Sequence, residues 1–438
     1  MSSSQPHVLL VGGGYIGVYT ALSLRKRNRN VRITLISPES YMTYQSFLPE
    51  AAAGNIEPRH VVVPLRRALK SVRLITGALQ SLDHDRRTAR VVPVEGESYE
   101  IAYDHVVIGV GSISRVLPVP GLAEYGIGFK TIEEAIFLRN QILSRMDIAE
   151  STPDESVRKR ALSFVFVGAG YAGVEALAEL EDLARDACRY FPSIDRSDMR
   201  WVLVEASGRI LPEIGEGLGD YALKLLRARD IEVFLETRLA SATGGLMKLS
   251  NGEEFEAETL VWTAGVRAHP SVARFGFPTD DRGRIVVDEK LRVVGTTGAW
   301  SAGDCAAVPD LTTGTISPPT AQHALRQARR IGRNIAAVLG GDEPEVFRYR
   351  NLGALASLGR YKGVARVLGI RVRGFPAWVL HRTYHLSRIP TFGRKIRVML
   401  DWTVALFFRR DIVQLGSLGH PRDAITEAGA SIDGPSPG

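Results

Sequence analysis

The apolar and polar positions of the chain repeat one arrangement twice. Four apolar residues precede a glycine turn and an apolar helix start in VLLVGGGYIGVY (Val8 to Tyr19), and again in FVFVGAGYAGVE (Phe164 to Glu175). A short apolar run followed by helical periodicity is typical of a buried parallel strand that leads into a helix. The pattern therefore predicts an α/β protein with two Rossmann-like, doubly wound dinucleotide-binding domains.

Both turns have the spacing G-x-G-x-x-G. Their glycines are Gly12, Gly14 and Gly17 in the first copy and Gly168, Gly170 and Gly173 in the second. In such a turn the first glycine permits the tight bend, the second lets the backbone approach a pyrophosphate, and the third lets the helix pack on the strand. The helix N-terminus then offers free N–H groups to the phosphates. One such turn is weak evidence, but two in the same context predict two dinucleotide sites.

The end of the following strand distinguishes the two sites. RWVLVEASGR places Glu205 where a carboxylate accepts hydrogen bonds from both ribose hydroxyls and repels a 2′-phosphate, which predicts NADH rather than NADPH. The corresponding strand of the first copy, VRITLIS, ends at Ser37, which offers one hydrogen bond where an acid is expected. Later, GAWSAGDCAAV places Gly303 and Asp304 after an apolar strand and before an expected helix. An N-cap role would explain the aspartate alone, but the context suits the ribityl chain of FAD.

These motifs resemble, in the same order, those of the two-dinucleotide-binding flavoprotein reductases, and within them the type II NADH dehydrogenases (NADH:quinone oxidoreductases). The resemblance covers nearly the whole chain. It includes the segments YQSFLPEAAAG, FKTIEEAIFLRNQIL, VWTAGV, SPPTAQHALRQA and LGALASLGR. It implies FAD-dependent oxidation of NADH with transfer of two electrons to a membrane quinone, without proton pumping.

The resemblance also implies roles for single residues. Glu175, expected in the first turn of the second helix, would bond the nicotinamide carboxamide and assist proton movement, and Gly265 of VWTAGV would belong to the NADH site. Gln322 and Gln327 match the outer glutamines of the quinone motif A-Q-x-x-x-Q-Q, with Gln327 also catalytic, while Arg326 replaces the motif's other glutamine. His323 and Lys362 are further candidates, as proton carriers.

The cysteine content limits which electron acceptors are expected. The two cysteines, Cys188 and Cys305, form no C-x-x-C pair, which disfavours disulfide reductases and sulfide:quinone reductases and suits a reducing cytosol. No metal site is predicted. Two alternatives stay open: a soluble NADH-dependent flavoprotein reductase with a non-quinone acceptor, and a redox-sensing protein that binds both nucleotides without useful turnover.

The basic charge is concentrated near the C-terminus. Between Arg348 and Arg410 there are 14 Lys and Arg residues and one acid, Asp401, which leaves 41 basic and 47 acidic residues elsewhere. Pro390 and Gly393 separate two helix-length segments there, and the second has a broad apolar face flanked by cations. This pattern predicts a helix in the interface of an anionic membrane. Core packing and a homodimer interface remain alternatives, and nucleic acid is disfavoured.

Together these patterns predict an FAD-binding domain (1–115 and 286–345), a crossover and NADH-binding domain (116–285), and a basic membrane-association segment (346–438). Residues 1–6 and 427–438 are expected to be disordered. The N-terminus has no signal-peptide pattern, and no apolar run is long enough to span a bilayer. We therefore expect a peripheral enzyme on the cytoplasmic face of the cell membrane.

Overall fold

A computed structural model describes residues 5–349 and 353–414. The predicted disorder of 427–438 and of the first four residues lies outside these ranges. The helices within them are α1 (Tyr15–Arg27), α2 (Leu48–Ala52), α3 (Pro58–Val61), α4 (Leu65–Ala68), α5 (Leu122–Tyr125), α6 (Ile132–Ser151), α7 (Glu155–Ala161), α8 (Tyr171–Ala187), α9 (Glu216–Arg227), α10 (Ala321–Leu339), α11 (Phe375–Arg388) and α12 (Phe392–Phe407).

The first sheet has seven strands, of which five are parallel and two extend one edge in antiparallel fashion. In spatial order they are Ala299–Ser301, His105–Ile108, His7–Val11, Arg32–Ser37, Arg73–Asp83, Thr88–Pro93 and Tyr99–Ala102. The edge strand Ala299–Ser301 pairs in parallel with His105–Ile108. Two distant stretches of sequence therefore build one sheet, as the pattern predicts, while the exact domain boundaries stay a prediction.

The second sheet has five parallel strands. Its order is Gly126–Ile127, Thr259–Trp262, Ser163–Val167, Arg200–Val204 and Ile231–Phe234. The central strand Ser163–Val167 is buried at every position and leads through the second glycine turn into α8. The apolar run of Phe164 to Val167 is typical of a parallel sheet covered on both faces.

The remaining strands form small antiparallel and parallel pairs around the two main sheets. They are Tyr41–Thr43 with Val62–Pro64, Ser112–Ser114 with Val266–Ala268, Leu239–Ser241 with Leu246–Leu249 and Glu254–Glu256, Ile285–Val286 with Ala306–Ala307, and Pro309–Asp310 with Thr315–Ile316.

The C-terminal region folds back onto both nucleotide-binding folds. An antiparallel sheet of Gly353–Ser357, Gly363–Val367 and Ile370–Arg373 precedes α11 and α12. Across the described ranges, we find no helix that combines the length and apolar character needed to cross a bilayer.

One predicted element is wrong. The helix expected directly after Asp304 is a single 3₁₀ turn, Gly303–Cys305. The next residues, Ala306–Ala307, pair with Ile285–Val286, so their backbone groups are committed to a ladder. The helix is delayed until α10, where the hydroxyl of Thr320 accepts from the N–H of His323 at its start.

Candidate functional site

The first glycine turn has the geometry that a pyrophosphate cradle needs. Gly12 has a φ of +106°, a conformation that L side chains rarely adopt. A Cβ on Gly17 would lie 2.1 Å from the carbonyl oxygen of Gly12, whereas a Cβ on Gly14 would meet nothing within 4 Å. Ser37 is buried beside this turn, with its Oγ 2.4 Å from where a Cβ on Gly13 would lie. The residues present therefore fit a dinucleotide phosphate held against bare backbone.

The second turn has the same geometry and an anchored acid. Gly168 has a φ of +103°, a Cβ on Gly173 would lie 1.9 Å from the oxygen of Gly168, and a Cβ on Gly170 would again meet open space. Glu205 stands at the end of the neighbouring strand, where its Oε2 accepts the N–H of Ala169 at 2.7 Å. The turn itself thus fixes the carboxylate at the place where an adenosine ribose would lie.

A cavity of about 780 Å³ extends from the second turn to the first fold. Seven of the predicted site residues line this cavity: Gly168, Gly170, Glu175, Glu205, Gly265, Asp304 and Gln322. The other predicted residues lie outside its lining: Gly12, Gly14, Gly17, Ser37, Gly173, Gly303 and Gln327. The cavity therefore joins the predicted NADH site to the Asp304 turn and to the start of α10.

Asp304 belongs to a charged cluster that sequence reasoning missed. Its Oδ2 accepts the hydroxyl of Ser112 at 2.5 Å and lies 3.6 Å from Nζ of Lys130, which itself donates to the Ser112 hydroxyl at 2.6 Å. Lys130 directly precedes the capping box of Thr131 and Glu134 that begins α6, and its N–H donates to the Glu134 carboxylate. The T-x-x-E spacing was a usable sequence signal for that fixed position.

Glu175 joins the cavity to the C-terminal region. The helix α8 begins at Tyr171, so Glu175 lies in its second turn and not in the first as predicted. Its Oε1 accepts the N–H of Ser357 at 2.7 Å and lies 3.1 Å from Nε2 of His381. A favourable position at the helix dipole does not account for this residue, because both contacts come from a distant part of the chain.

Two histidines of α11, His381 and His385, lie next to each other beside Glu175. Burial lowers the pKa of His381, but the hydrogen bond and charge of Glu175 raise it, and the net pKa lies above the ordinary value. The ring of His385 lies 4.6 Å from that of His381. Burial and the charges of His381 and Arg388 hold the pKa of His385 well below its usual value. Two adjacent imidazoles thus have pKa values shifted in opposite directions, and His385 lines the cavity.

The sequence patterns described above do not single out these two histidines. Their H-x-x-x-H spacing, which puts both rings on one face of a helix, was the signal available for them. The network continues to Tyr44, whose hydroxyl donates to the carbonyl oxygen of His385 at 3.1 Å.

The two glutamines of α10 have different surroundings. Gln322 lines the cavity, and its Oε1 accepts the hydroxyl of Tyr349 at 3.0 Å. Gln327 is buried, and its Oε1 accepts the N–H of Gly303 at 2.9 Å. The structure therefore brings Gln322, but not Gln327, to the cavity wall. Gln327 instead holds the turn that carries Asp304.

The two candidate proton carriers, His323 and Lys362, lie in different cavities. His323 lines the cavity, and its Nδ1 lies 2.8 Å from the hydroxyl of Thr320. Burial lowers the pKa of His323, the charge of Arg326 lowers it further, and Asp310 opposes them. Lys362 lies in a second cavity at the C-terminal end of α8.

Comparison with known proteins identifies the family. The model of the pyridine nucleotide-disulphide oxidoreductase family matches residues 6–328. A probable NADH dehydrogenase of Dictyostelium discoideum is 32% identical over 87% of this chain and 85% of its own length. The type II NADH:quinone oxidoreductase Ndh of Mycobacterium tuberculosis is 30% identical over 92% and 88%. This chain belongs to the type II NADH dehydrogenase family.

A solved structure supports the fold of this family member. The NDH2 of Plasmodium falciparum, solved in complex with NADH, superposes with a TM-score of 0.87 at 16% identity, covering 93% of this chain and all of that one. The predicted family and the doubly wound fold are confirmed, as is the class of pyridine-nucleotide oxidoreductase. Within the broader family named for disulphide chemistry, this member has two free cysteines, and burial raises the pKa of both thiols.

Proposed function

We propose that the chain oxidises NADH with FAD as its resident cofactor and delivers the two electrons to a membrane quinone. The observation that carries this proposal is the single cavity that runs from Glu205 to Asp304 and on to Gln322. One continuous space gives a nicotinamide donor and a second substrate access to the same redox centre.

The NADH side is assigned to the second turn. Gly168, Gly170 and Gly173 receive the pyrophosphate, and Glu205 binds the adenosine ribose. Gly265 has a φ of +96° and lines the cavity, so its bare backbone can approach the nicotinamide end. Glu175 bonds the carboxamide from the second turn of α8.

The FAD side is assigned to the first turn and to the segment around Asp304. Gly12, Gly14 and Gly17 receive the pyrophosphate, Ser37 meets the ribose, and the Gly303–Asp304 turn meets the ribityl chain. When bound, FAD supplies the acceptor for hydride and the donor of electrons to the second substrate. The protein supplies distance and electrostatics: Lys130 places a positive charge 3.6 Å from Asp304 at the cavity wall.

The quinone side is assigned to the start of α10. Gln322 offers an amide to a quinone oxygen, and Gln327 positions the Gly303 turn behind it. Reduction of a quinone also consumes two protons. The paired Glu175 and His381, with His385 at the cavity wall, form the buried titratable group best placed to hold and pass them.

We assign the apolar face of α12 to a membrane surface. The side chains of Phe392, Leu400, Val404, Phe407 and Phe408 are each more than half exposed. Arg394, Lys395, Arg397 and Arg409 flank them, as expected for a helix in the interface of anionic lipids. The 16 residues of α12 span about 24 Å, too short for a bilayer core. The orientation on the cytoplasmic face and a homodimer stay predictions.

Flavin absorbance in a single turnover tests the function. The protein is reduced with NADH under anaerobic conditions, and a short-chain menaquinone or ubiquinone is then added. We expect bleaching on NADH and reoxidation by quinone faster than by air. Bleaching without reoxidation by either quinone would leave an NADH-dependent reductase with another acceptor.

A matched pair of variants tests the place of the quinone. Gln322→Leu removes the cavity-lining amide, and we expect it to slow reoxidation by quinone about tenfold because one hydrogen bond is lost, with NADH bleaching unchanged. Gln80→Leu, at an exposed strand position outside the cavity, is the control. Equal reoxidation rates in the two variants would remove Gln322 from the quinone site.

A further inference from the structure

A second cavity of about 310 Å³ lies away from the cofactor sites. It is bounded by the C-terminal end of α8, the hairpin turn between Gly353–Ser357 and Gly363–Val367, and the chain that follows α12. Its lining residues are all charged: Asp182, Arg185, Asp186, Arg196, Arg360, Lys362 and Arg410. Five cations thus face two carboxylates in one small space.

The two carboxylates are already committed to other partners. Asp182 pairs with Arg185 and lies 3.1 Å from Arg229, and Asp186 pairs with Arg189. Behind the lining, Glu179 lies 3.8 Å from Arg410, and Glu181 pairs with Arg229. With Arg189, Arg229, Glu179 and Glu181 included, the site holds seven cations against four carboxylates, a surplus of three positive charges.

Three cations of the lining have no carboxylate oxygen within 4 Å of their side-chain nitrogens in the described part of the chain: Arg196, Arg360 and Lys362. Lys362 is half-buried, and burial lowers its pKa, with the charges of Arg229 and Arg185 adding to the effect. A cation that is partly removed from water and faces other cations is destabilised unless an anion joins it.

The hairpin turn that carries Arg360 and Lys362 is held in place by hydrogen bonds. The N–H of Arg360 donates to Asp182 at 2.5 Å, the N–H of Leu358 donates to the carbonyl oxygen of Lys362 at 2.9 Å, and Arg229 donates to the carbonyl oxygen of Leu358 at 2.8 Å. These bonds fix the turn on α8. The backbone of Arg360 and Lys362 is therefore in position before any ligand arrives, which lowers the entropic cost of binding.

We propose that this cavity binds the phosphate group of a phosphorylated ligand through Arg196, Arg360 and Lys362. Two guanidinium forks and one ammonium suit the oxygens of a phosphate dianion. The volume exceeds one phosphate, so the ligand carries a further polar part. The side chain of Arg360 also donates to the carbonyl oxygen of Ala405 on α12 at 2.7 Å. A phospholipid headgroup and a soluble phosphate compound share this chemistry.

Calorimetric titration with pyrophosphate tests the site. The full chain is used with FAD bound and with saturating NAD⁺, so that both glycine turns are occupied. We expect wild type to bind pyrophosphate and the double variant Arg196→Gln/Lys362→Gln to bind it at least about tenfold more weakly, because two charge-assisted contacts are lost. Lys362→Arg should retain binding. Lys26→Gln/Arg29→Gln is the charge-matched control, because both residues are exposed and neither pairs with a carboxylate in the described ranges.

A vesicle-binding experiment distinguishes a phospholipid headgroup from a soluble phosphate compound. Wild type and variants are sedimented with phosphatidylglycerol vesicles and with phosphatidylcholine vesicles. A deficit of Arg196→Gln/Lys362→Gln on phosphatidylglycerol alone, relative to Lys26→Gln/Arg29→Gln, supports a lipid headgroup, and a deficit with pyrophosphate supports a soluble ligand. Wild-type behaviour of Arg196→Gln/Lys362→Gln with both probes overturns the proposal, as does an equal loss in Lys26→Gln/Arg29→Gln. Unchanged flavin absorbance and NADH oxidation verify folding of each variant.

Discussion

Glu205 and Ser37 occupy corresponding strand ends, but their chemistry differs. The carboxylate of Glu205 is held by the N–H groups of Ala169 and Ser207 and still has lone pairs for ribose hydroxyls. Ser37 is buried against the first turn and carries no charge. We therefore expect the fixed negative charge of Glu205, and its absence at Ser37, to give the two proposed sites different nucleotide preferences.

Glu205→Gln tests this discrimination. We expect the ratio of kcat/KM for NADH to that for NADPH to fall about tenfold or more, because the charge that repels a 2′-phosphate is removed while one acceptor oxygen remains. Steady-state kinetics with both nucleotides measures the ratio. Glu236→Gln, an exposed acid after the next strand, should leave it unchanged. An unchanged ratio in Glu205→Gln would contradict the assignment.

The pair of Glu175 and His381 predicts a dependence of stability on pH. Because the folded-state pKa of His381 is raised, its protonated form stabilises the fold fully below the unfolded value of about 6.5. That contribution is lost as the pH rises through the folded pKa. Glu175→Gln removes the charge that raises this pKa and leaves burial, which lowers it. The deficit in Tm of Glu175→Gln should therefore be largest below pH 6.5 and shrink at higher pH.

Thermal unfolding between pH 5.5 and 9 measures this difference, within the range set by the raised pKa of His381. Glu213→Gln is the control, because Glu213 lines the same cavity and pairs with no histidine among the residues that the structure describes. A deficit in Glu175→Gln that does not vary with pH would show that His381 is not held protonated by Glu175.

At the scale of elements, local patterns were sufficient for the two strand–turn–helix units. Apolar runs at Val8 and Phe164, with glycines at fixed spacing, specify those elements within a dozen residues. The region after Asp304 could not be read in this way, because Ala306–Ala307 is drawn into a ladder with Ile285–Val286. Tertiary pairing there overrides the local helix signal.

The site residues also divide into those that a local pattern predicts and those that depend on tertiary contacts. The glycines and Glu205 can be predicted because each lies at a fixed offset from its own strand. The partners of Glu175 are not, since Ser357 and His381 come from 182 and about 200 residues further along the chain. The contact of Gln327 could not be predicted for a related reason: its partner Gly303 belongs to a different element.

The exposed face of α12 gives a prediction about lipid binding. Leu400→Ser/Phe407→Ser removes two side chains that are 54% and 80% exposed. We expect binding to anionic vesicles to fall tenfold or more, since burying each such side chain contributes roughly 1.5–3 kcal/mol. NADH oxidation with ferricyanide, a water-soluble acceptor, should not change.

Vesicle sedimentation measures that binding. Phe137→Ser is the matched control, because Phe137 is 54% exposed on α6, outside the C-terminal region. Equal binding of the double variant and Phe137→Ser would assign the apolar face to another role, of which a homodimer interface is the first to examine.

At the scale of the whole molecule, the C-terminal region is part of the catalytic fold as well as a candidate membrane surface. Trp402 and Arg382 both contact the carboxylate of Glu50, at 2.7 and 2.8 Å. The main-chain oxygen of Arg388 accepts the hydroxyl of Tyr19 on α1. Contacts from α11 and α12 therefore reach the first fold, and the contact of His381 with Glu175 reaches the second.

This arrangement predicts the behaviour of a chain that ends at Gly374. Such a chain loses both side-chain partners of Glu50, Arg382 and Trp402, and it loses Arg410 from beside Glu179, which keeps its hydrogen bonds from Asn55 and Ser357. Glu50 and Glu179 are 1% and 0% exposed in the complete fold. Phe47, which packs on Trp402, is also uncovered. Breaking a buried ion pair costs about 3–5 kcal/mol. We expect the shortened protein to unfold at a markedly lower temperature and to release its flavin with it.

Flavin fluorescence during thermal unfolding distinguishes the two roles of the region. In the first outcome, the shortened chain unfolds at the same temperature as the full chain, and the only defect of Leu400→Ser/Phe407→Ser is the loss of vesicle binding. The C-terminal region would then be a separable anchor, and its contacts with Glu50 and Glu175 would be dispensable. If the shortened chain melts early and the double variant does not, the same helices complete the redox site and present the surface to the membrane. The buried contacts require the second outcome. If the region were a separable anchor, its removal would leave every buried acid with its partners, whereas here Glu50 loses both Trp402 and Arg382.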